Sequence, residues 1–503
     1  MGLIVRQSLK SSLGFYAGIA LGAINTLFIS TQFLTPDQLA ISRILLENSL
    51  VFAAFAHLGS PYISDRFFSN FRDDAQKHHG FLVFLCALPL AGIAVFGLSF
   101  WLFEASFENY FREKSPSVIP YLRLVVPLTV CWIYVSVFEA YSRNNARTAV
   151  PTFLREVGLR AANVLLIIMF ALGWISYDGF LYLLTASLGL IALCLVAYIW
   201  HLGKLYLVWD SSLWNKKLVV EMLTFGLIVV IGGVGANLIL FLDRNILANQ
   251  VGTTAVAIFT VAAYIATIIE VPSKAIRQIS GPIMATAIQQ HDRPKMHELY
   301  QKSALNLMLI GGITFLLIAV NLDSLFGILP KSAIYAQGKW VVILVGLAKW
   351  IDMSLGLNAE MMAYSKYFKI NTLLVVLMAA FAIYVNNLLV PIYGINGSAM
   401  ATGLTTLLWA IFKLSFVNWK FKMSPFGHHD WAALATLAVV GVVGFLIPSF
   451  GTNWFVVVLS IGLKSLIMGL LFLFLVVKFR VSDDLFFLYK NQLEPLLPLK
   501  FRL

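Results

Sequence analysis

Two consecutive runs, KSSLGFYAGIALGAINTLFISTQF (residues 10–33) and LTPDQLAISRILLENSLVFAAFAHLGSPYISD (residues 34–65), decide what fold this chain can adopt. The first is an apolar span ending at Phe33; the turn Thr35-Pro36-Asp37-Gln38 separates it from a second apolar span. Two membrane helices joined by a hairpin turn account for the pattern. Inside the second span stand Arg43 and Glu47, one helical turn apart on the same face. A guanidinium at hydrocarbon depth costs at least ~2.5 kcal/mol on insertion scales, so Arg43 asks for a partner, a wet cavity or a function.

Working outward, the composition places the whole chain in the membrane. Of 503 residues 60% are apolar and 12% charged, and the mean hydropathy is +0.84, which leaves too little polar surface for a soluble protein of this size. The net charge of +12 does not point to nucleic acid, because the basic residues fall in short loops between apolar spans, as the positive-inside rule expects. Cys86, Cys131 and Cys194 all lie in apolar spans as small hydrophobes; no disulfide framework, metal site or cofactor follows. Arg6 and Lys10 precede the first span as in a signal peptide, yet the run is too long and has no cleavage site, so it reads as a retained helix.

Apolar windows near twenty residues long recur through the sequence, about fourteen in all. After the hairpin they cover 80–103, 121–141, 150–174 and 179–201. A polar link follows, then 223–241, 255–276, 304–322, 338–362, 370–390 and 397–418, and a last pair at 431–447 and 454–477. The expected organisation is an N-lobe of helices 1–6 (1–210), a C-lobe of helices 7–12 (211–425), and helices 13–14 with a cytoplasmic tail (426–503). Alternate loops hold about 26 of the 36 Lys and Arg residues, against roughly five on the other side, which puts both termini in the cytoplasm. A shift of about 212 residues lays Gly14 on Gly226, Ile19 on Ile231, Asn25 on Asn237 and Gln38 on Gln250, consistent with a parallel repeat of six spans plus six. The fold class is therefore an all-α polytopic membrane protein with two six-helix lobes, and a cleft between the lobes is the natural substrate path.

Several segments carry a resemblance. Gly14-Phe15-Tyr16 through Asn25-Thr26-Leu27, then Phe33-Leu34-Thr35-Pro36-Asp37-Gln38 and Arg43, resembles the opening of bacterial polysaccharide-biosynthesis flippases. Asp243-Arg244-Asn245-Ile246-Leu247 with Gly252 is similar to the Asp-Arg signature closing the seventh span of that family. The stretch from Tyr393-Gly394-Ile395-Asn396-Gly397 to Thr402 looks like its Gly- and Ala-rich start of the twelfth. The match covers essentially the whole chain and is nearest the O-antigen and capsule repeat-unit translocases of the multidrug/oligosaccharidyl-lipid/polysaccharide (MOP) superfamily. It implies a bacterial inner-membrane protein. Its members flip an undecaprenyl-pyrophosphate-linked oligosaccharide from the cytoplasmic to the periplasmic leaflet by alternating access. The implied partners are that lipid-linked substrate and membrane lipids, with H+ or Na+ as candidate coupling ions and no nucleic acid.

A pyrophosphate carrying a large hydroxylated headgroup needs a wet, cationic path. The candidates are Arg43 with Glu47, Arg160 in the fifth span, Lys464 in the last, and Lys349 with Asp352 at i+3 in the tenth. In the eighth span Glu270 and Lys274 flank Pro272, a combination that suits a hinge, a breakable ion pair or a protonation site. The mid-span amides Asn25, Asn163 and Asn237 suit interhelical hydrogen bonding or sugar contacts. The bland reading of Arg43 is snorkelling or neutralising Glu47, and that of Lys349 with Asp352 and of Glu270 with Lys274 is a static pair within the helix, whereas Lys464 has no acidic residue in its own helix. His78-His79 and His428-His429 are neighbours that cannot share a helical face, and Asp73-Asp74 and Asp483-Asp484 read as loop charges. Gly203-Lys204 and Gly338-Lys339 lack the glycine spacing of a phosphate loop, so ATP hydrolysis has no support. No catalytic residues are expected: a membrane polymerase or ligase would need a large periplasmic loop, and the longest is 104–120. The alternative function is a multidrug or small-molecule exporter of the same fold, which would favour an acidic cavity.

Overall fold

A computed structural model describes residues 14–208, 214–451 and 453–493. Arg6, Lys10 and the side chain of Asn237 lie outside the described residues. Among those described there is no β-strand, and each apolar window read from the sequence holds helix. Among the described residues nine helices are long and apolar enough to cross a membrane, and a tenth span is reached if Thr253–Ile268 and Val271–Gln289, bent by 48°, count as one. The chain is a multipass membrane protein. By contacts it divides into two compact units, Met1–Ala257 with Thr372–Ile383, and Ile258–Asn371 with Tyr384–Leu503.

The first unit opens with α1 (Gly14–Phe33), interrupted by a π turn at Ile24–Ile29. Then comes α2 (Pro36–Ala56), whose start is fixed by the residues of the turn. Thr35 Oγ1 accepts from the Gln38 N–H at 3.2 Å, Gln38 Oε1 accepts from the Thr35 N–H at 2.9 Å, and Pro36 fills the first helical position where no donor is missed. The second span breaks at His57–Gly59 and resumes as α3 (Ser60–Phe71). Gly59 sits at φ 79°, and a Cβ there would come within 2.4 Å of the Gly226 Cα, so only glycine allows the backbones to meet.

The unit continues through α4 (Phe81–Arg112), α5 (Val125–Asn144) and the fifth span. That span is assembled from α6 (Ala149–Phe153), a π turn (Leu154–Gly158) and α7 (Leu159–Ala171), and it is followed by α8 (Tyr177–His201) and α9 (Lys216–Gln250). A buried aromatic cluster of Phe67, Phe68, Phe71, Phe81 and Tyr141 joins α3, α4 and α5. At that end Lys204 reaches Asp74 at 2.5 Å, and this hydrogen bond holds the Asp74 carboxyl below its ordinary range.

Helix α10 (Thr253–Ile268), whose residues up to Ala257 belong to the first unit, and α11 (Val271–Gln289) meet at the 48° bend, where Pro272 removes a backbone donor. The further helices are α12 (Arg293–Val320), α13 (Lys339–Met353), the short α14 (Asn358–Ala363), α15 (Phe368–Tyr393), α16 (Ile395–Phe421), α17 (Asp430–Leu446) and α18 (Trp454–Lys478). Residues Thr372–Ile383 of α15 group with the first unit. The last two helices pack on α12 through Val320, Val440 and Met468.

Candidate functional site

In the second unit the charges of four helices meet. Glu270 stands at the bend between α10 and α11, where the broken helix frees its side chain to turn away from the helix stem, and its Oε2 lies 2.6 Å from Lys349 Nζ on α13. One turn along α13, Asp352 Oδ1 lies 2.5 Å from Lys413 Nζ on α16, with Lys413 only 2% exposed. Arg277, on α11, spans 4.0 Å to Asp352 and 3.6 Å to Glu360 on α14. Each carboxylate is thus held by a cation from another helix, the arrangement that compensates desolvation at the lowest electrostatic cost. With Lys274 the segment carries four basic groups around three acids.

These pairings differ from those the spacing suggests. Lys349 and Asp352 share a helix, yet each is paired across helices; Glu270 takes Lys349 where Lys274 was the sequence-based partner. Spacing along one helix names possible partners, but a packed neighbour can bring its charge into the same desolvated space and take the pairing instead.

The first unit repeats the lesson. Glu47 Oε2 lies 2.6 Å from Arg244 Nη1 on α9, while Arg43 Nη2 donates to Thr26 Oγ1 on the π turn of α1 at 2.9 Å. One residue on, Asn48 and Asn245 exchange amide hydrogen bonds at 3.0 and 2.7 Å. At the start of α2, Asp37 accepts from the hydroxyl of Thr253, the first residue of α10, at 2.5 Å. Together with the contact of Gly59 on Gly226, these form an antiparallel polar seam along α2 and α9. Arg160 pairs with Glu156 at 3.2 Å, and Asn25 donates to Asn163 at 2.9 Å. Lys464, 5% exposed on α18, donates to Ser449 Oγ at 3.0 Å, in the helix pair that follows the charged helices of the second unit.

No family model matches the sequence, and no curated protein matches it. Solved structures do. The lipid II flippase MurJ in an inward closed conformation superposes with a TM-score of 0.70 at 12% identity, over 94% of this chain and 99% of that one. An inward-facing multidrug resistance MATE family transporter of the MOP superfamily gives 0.64 at 15% identity, over 84% and 98%. An outward-facing conformation of a multidrug resistance MATE family transporter of the MOP superfamily gives 0.55 at 16%, over 84% and 95%. The fold is that of the MOP-superfamily transporters.

Within this MOP fold, the structure draws in charges that the sequence reading did not single out. Glu156 is legible from its position four residues before Arg160. Glu139, Arg277 and Lys413 carry no sequence signal that separates them from other charges at span ends, and Arg244 figured only in the Asp-Arg signature. Two adjacent pairs set aside as loop residues, His428-His429 and Asp483-Asp484, line one cavity of about 660 Å³ at the start of α17.

Proposed function

We propose that this MOP-fold protein is a flippase. It moves an undecaprenyl-pyrophosphate-linked oligosaccharide from the cytoplasmic to the periplasmic leaflet of a bacterial inner membrane by alternating access between two lobes. The observation that carries the reading is the half-buried cluster of α11, α13, α14 and α16, where three paired bases and the exposed Lys274 stand against three acids. Three carboxylates occupy Lys349, Lys413 and Arg277 in the resting protein, and a diphosphate is the kind of ligand that can exchange with them, since it offers more acceptor oxygens and more charge. An exporter of cationic drugs would need the opposite surplus. Glu270, at the bend beside Pro272, is the group whose protonation would release Lys349, which gives H+ a place in the cycle; Na+ is the alternative coupling ion. The fold's occurrence in a lipid II flippase supports the same reading.

Proteoliposomes containing the protein and a labelled undecaprenyl-pyrophosphate oligosaccharide test this directly. Label should become accessible in the opposite leaflet in minutes, with no transport of cationic dyes. Dye efflux without lipid movement would favour the exporter reading. Orientation is checked in cells: a cysteine at Ser106 should react with an impermeant thiol reagent from the periplasm, and one at Ser424 should not. The reverse pattern would invert the topology.

A further inference from the structure

The charges of the first unit are arranged for a different task from those of the second. Arg155 lies 2.9 Å from Glu139 and 3.2 Å from Glu156, and Arg160 lies 3.2 Å from Glu156. Two guanidiniums face two carboxylates, so the cluster is formally neutral, in contrast to the basic surplus around Lys349 and Lys413. Its bases are open to a ligand: the Arg155 side chain is 44% exposed and that of Arg160 30%, close to the 27% of Arg277 in the second unit. Helix α1 is seated against it at Gly18, where a Cβ would come within 2.6 Å of Arg160 Nη1 and 2.8 Å of the Glu156 carbonyl. The glycine therefore leaves room for the guanidinium between the two helices. The π turn at Leu154–Gly158 carries Arg155 and Glu156, and π turns gather at functional sites more often than elsewhere.

Planar groups present donors or acceptors in pairs. A guanidinium offers two parallel N–H groups and a carboxylate two oxygens, which is the spacing that vicinal hydroxyls of a sugar ring can meet. A neutral cluster of such groups binds hydroxyls without drawing in phosphate. An acidic sugar would bring its carboxylate beside Glu139 and Glu156 where both guanidiniums are already engaged, so its desolvation would go uncompensated. We propose that Glu139, Arg155, Glu156 and Arg160 form the subsite that recognises the sugar part of the lipid-linked substrate and selects uncharged sugars over acidic ones. The inference rests on the flippase reading and adds the substrate class to it.

The test uses the full-length protein in proteoliposomes with three lipids: undecaprenyl pyrophosphate bearing a neutral oligosaccharide, the same bearing a uronic acid, and undecaprenyl pyrophosphate without sugar. Glu139→Gln frees one fork of Arg155 and makes the cluster cationic. It is expected to raise the rate ratio of uronic to neutral substrate by on the order of tenfold, with the sugar-free lipid unchanged. Gly18→Ala keeps every charge and pushes Arg160 and the Glu156 backbone away from α1; it is expected to slow the neutral oligosaccharide and spare the sugar-free lipid. An unaltered ratio with Glu139→Gln, or equal slowing of all three lipids by both variants, overturns the subsite alone. A wild-type protein that moves none of the three overturns the subsite and the flippase reading together.

Discussion

Asp352→Asn should leave little folded protein in the membrane. Asp352 faces Lys413 at 2.5 Å and Arg277 at 4.0 Å, and Lys413 is 2% exposed. Without the carboxylate its ammonium stays buried and unpaired, at a cost on the order of 3–5 kcal/mol. That is a large part of the roughly 5–15 kcal/mol that separates a folded domain from its unfolded chain. The double variant Asp352→Asn with Lys413→Met removes both charges and should recover most of the lost protein, because an apolar side chain of similar length fills the same space. Membrane levels and thermal unfolding in detergent measure both. Wild-type levels for Asp352→Asn alone would mean that the cluster is wet and its charges are exchangeable at little cost. Transport by the double variant is a separate readout, and its loss is expected if Lys413 meets the substrate's phosphates.

The second large effect concerns the seam of α2 and α9 and divides two arginines by role. Arg244→Ala should lower the level of the protein, since Glu47 would lose the guanidinium 2.6 Å away, and adding Glu47→Ala should restore it. Arg43→Ala is expected to insert and fold yet abolish transport. Arg43 donates to the hydroxyl of Thr26, and the ion pair with Glu47 is made by Arg244. Arg43→Lys should be a partial substitute, because an ammonium keeps the charge and loses the planar fork. Restoration of transport to Arg43→Ala by Glu47→Ala would instead show an intrahelical pair and remove Arg43 from the substrate path. A cysteine pair at Asn48 and Asn245 adds a dynamic check. If the seam opens in the transport cycle, oxidation should stop transport and a reductant should restore it.

The sequence by itself determined everything that depends on transferring a helix into hydrocarbon. The apolar windows and the start of α2 at Thr35-Pro36-Asp37-Gln38 were legible because each follows from local properties: length, hydropathy and the capping chemistry of four adjacent residues. The break at Glu270 and Pro272 was legible for the same reason. Which charges need partners was also clear, since Arg43, Glu47, Lys349 and Asp352 stand at depths where an isolated ion is untenable. Who those partners are was decided only in the tertiary structure. Helical spacing names the residues that share a face, but ion pairs at depth form between charges desolvated together by packing. Glu47 therefore found Arg244 across 197 positions and Asp352 found Lys413 across 61.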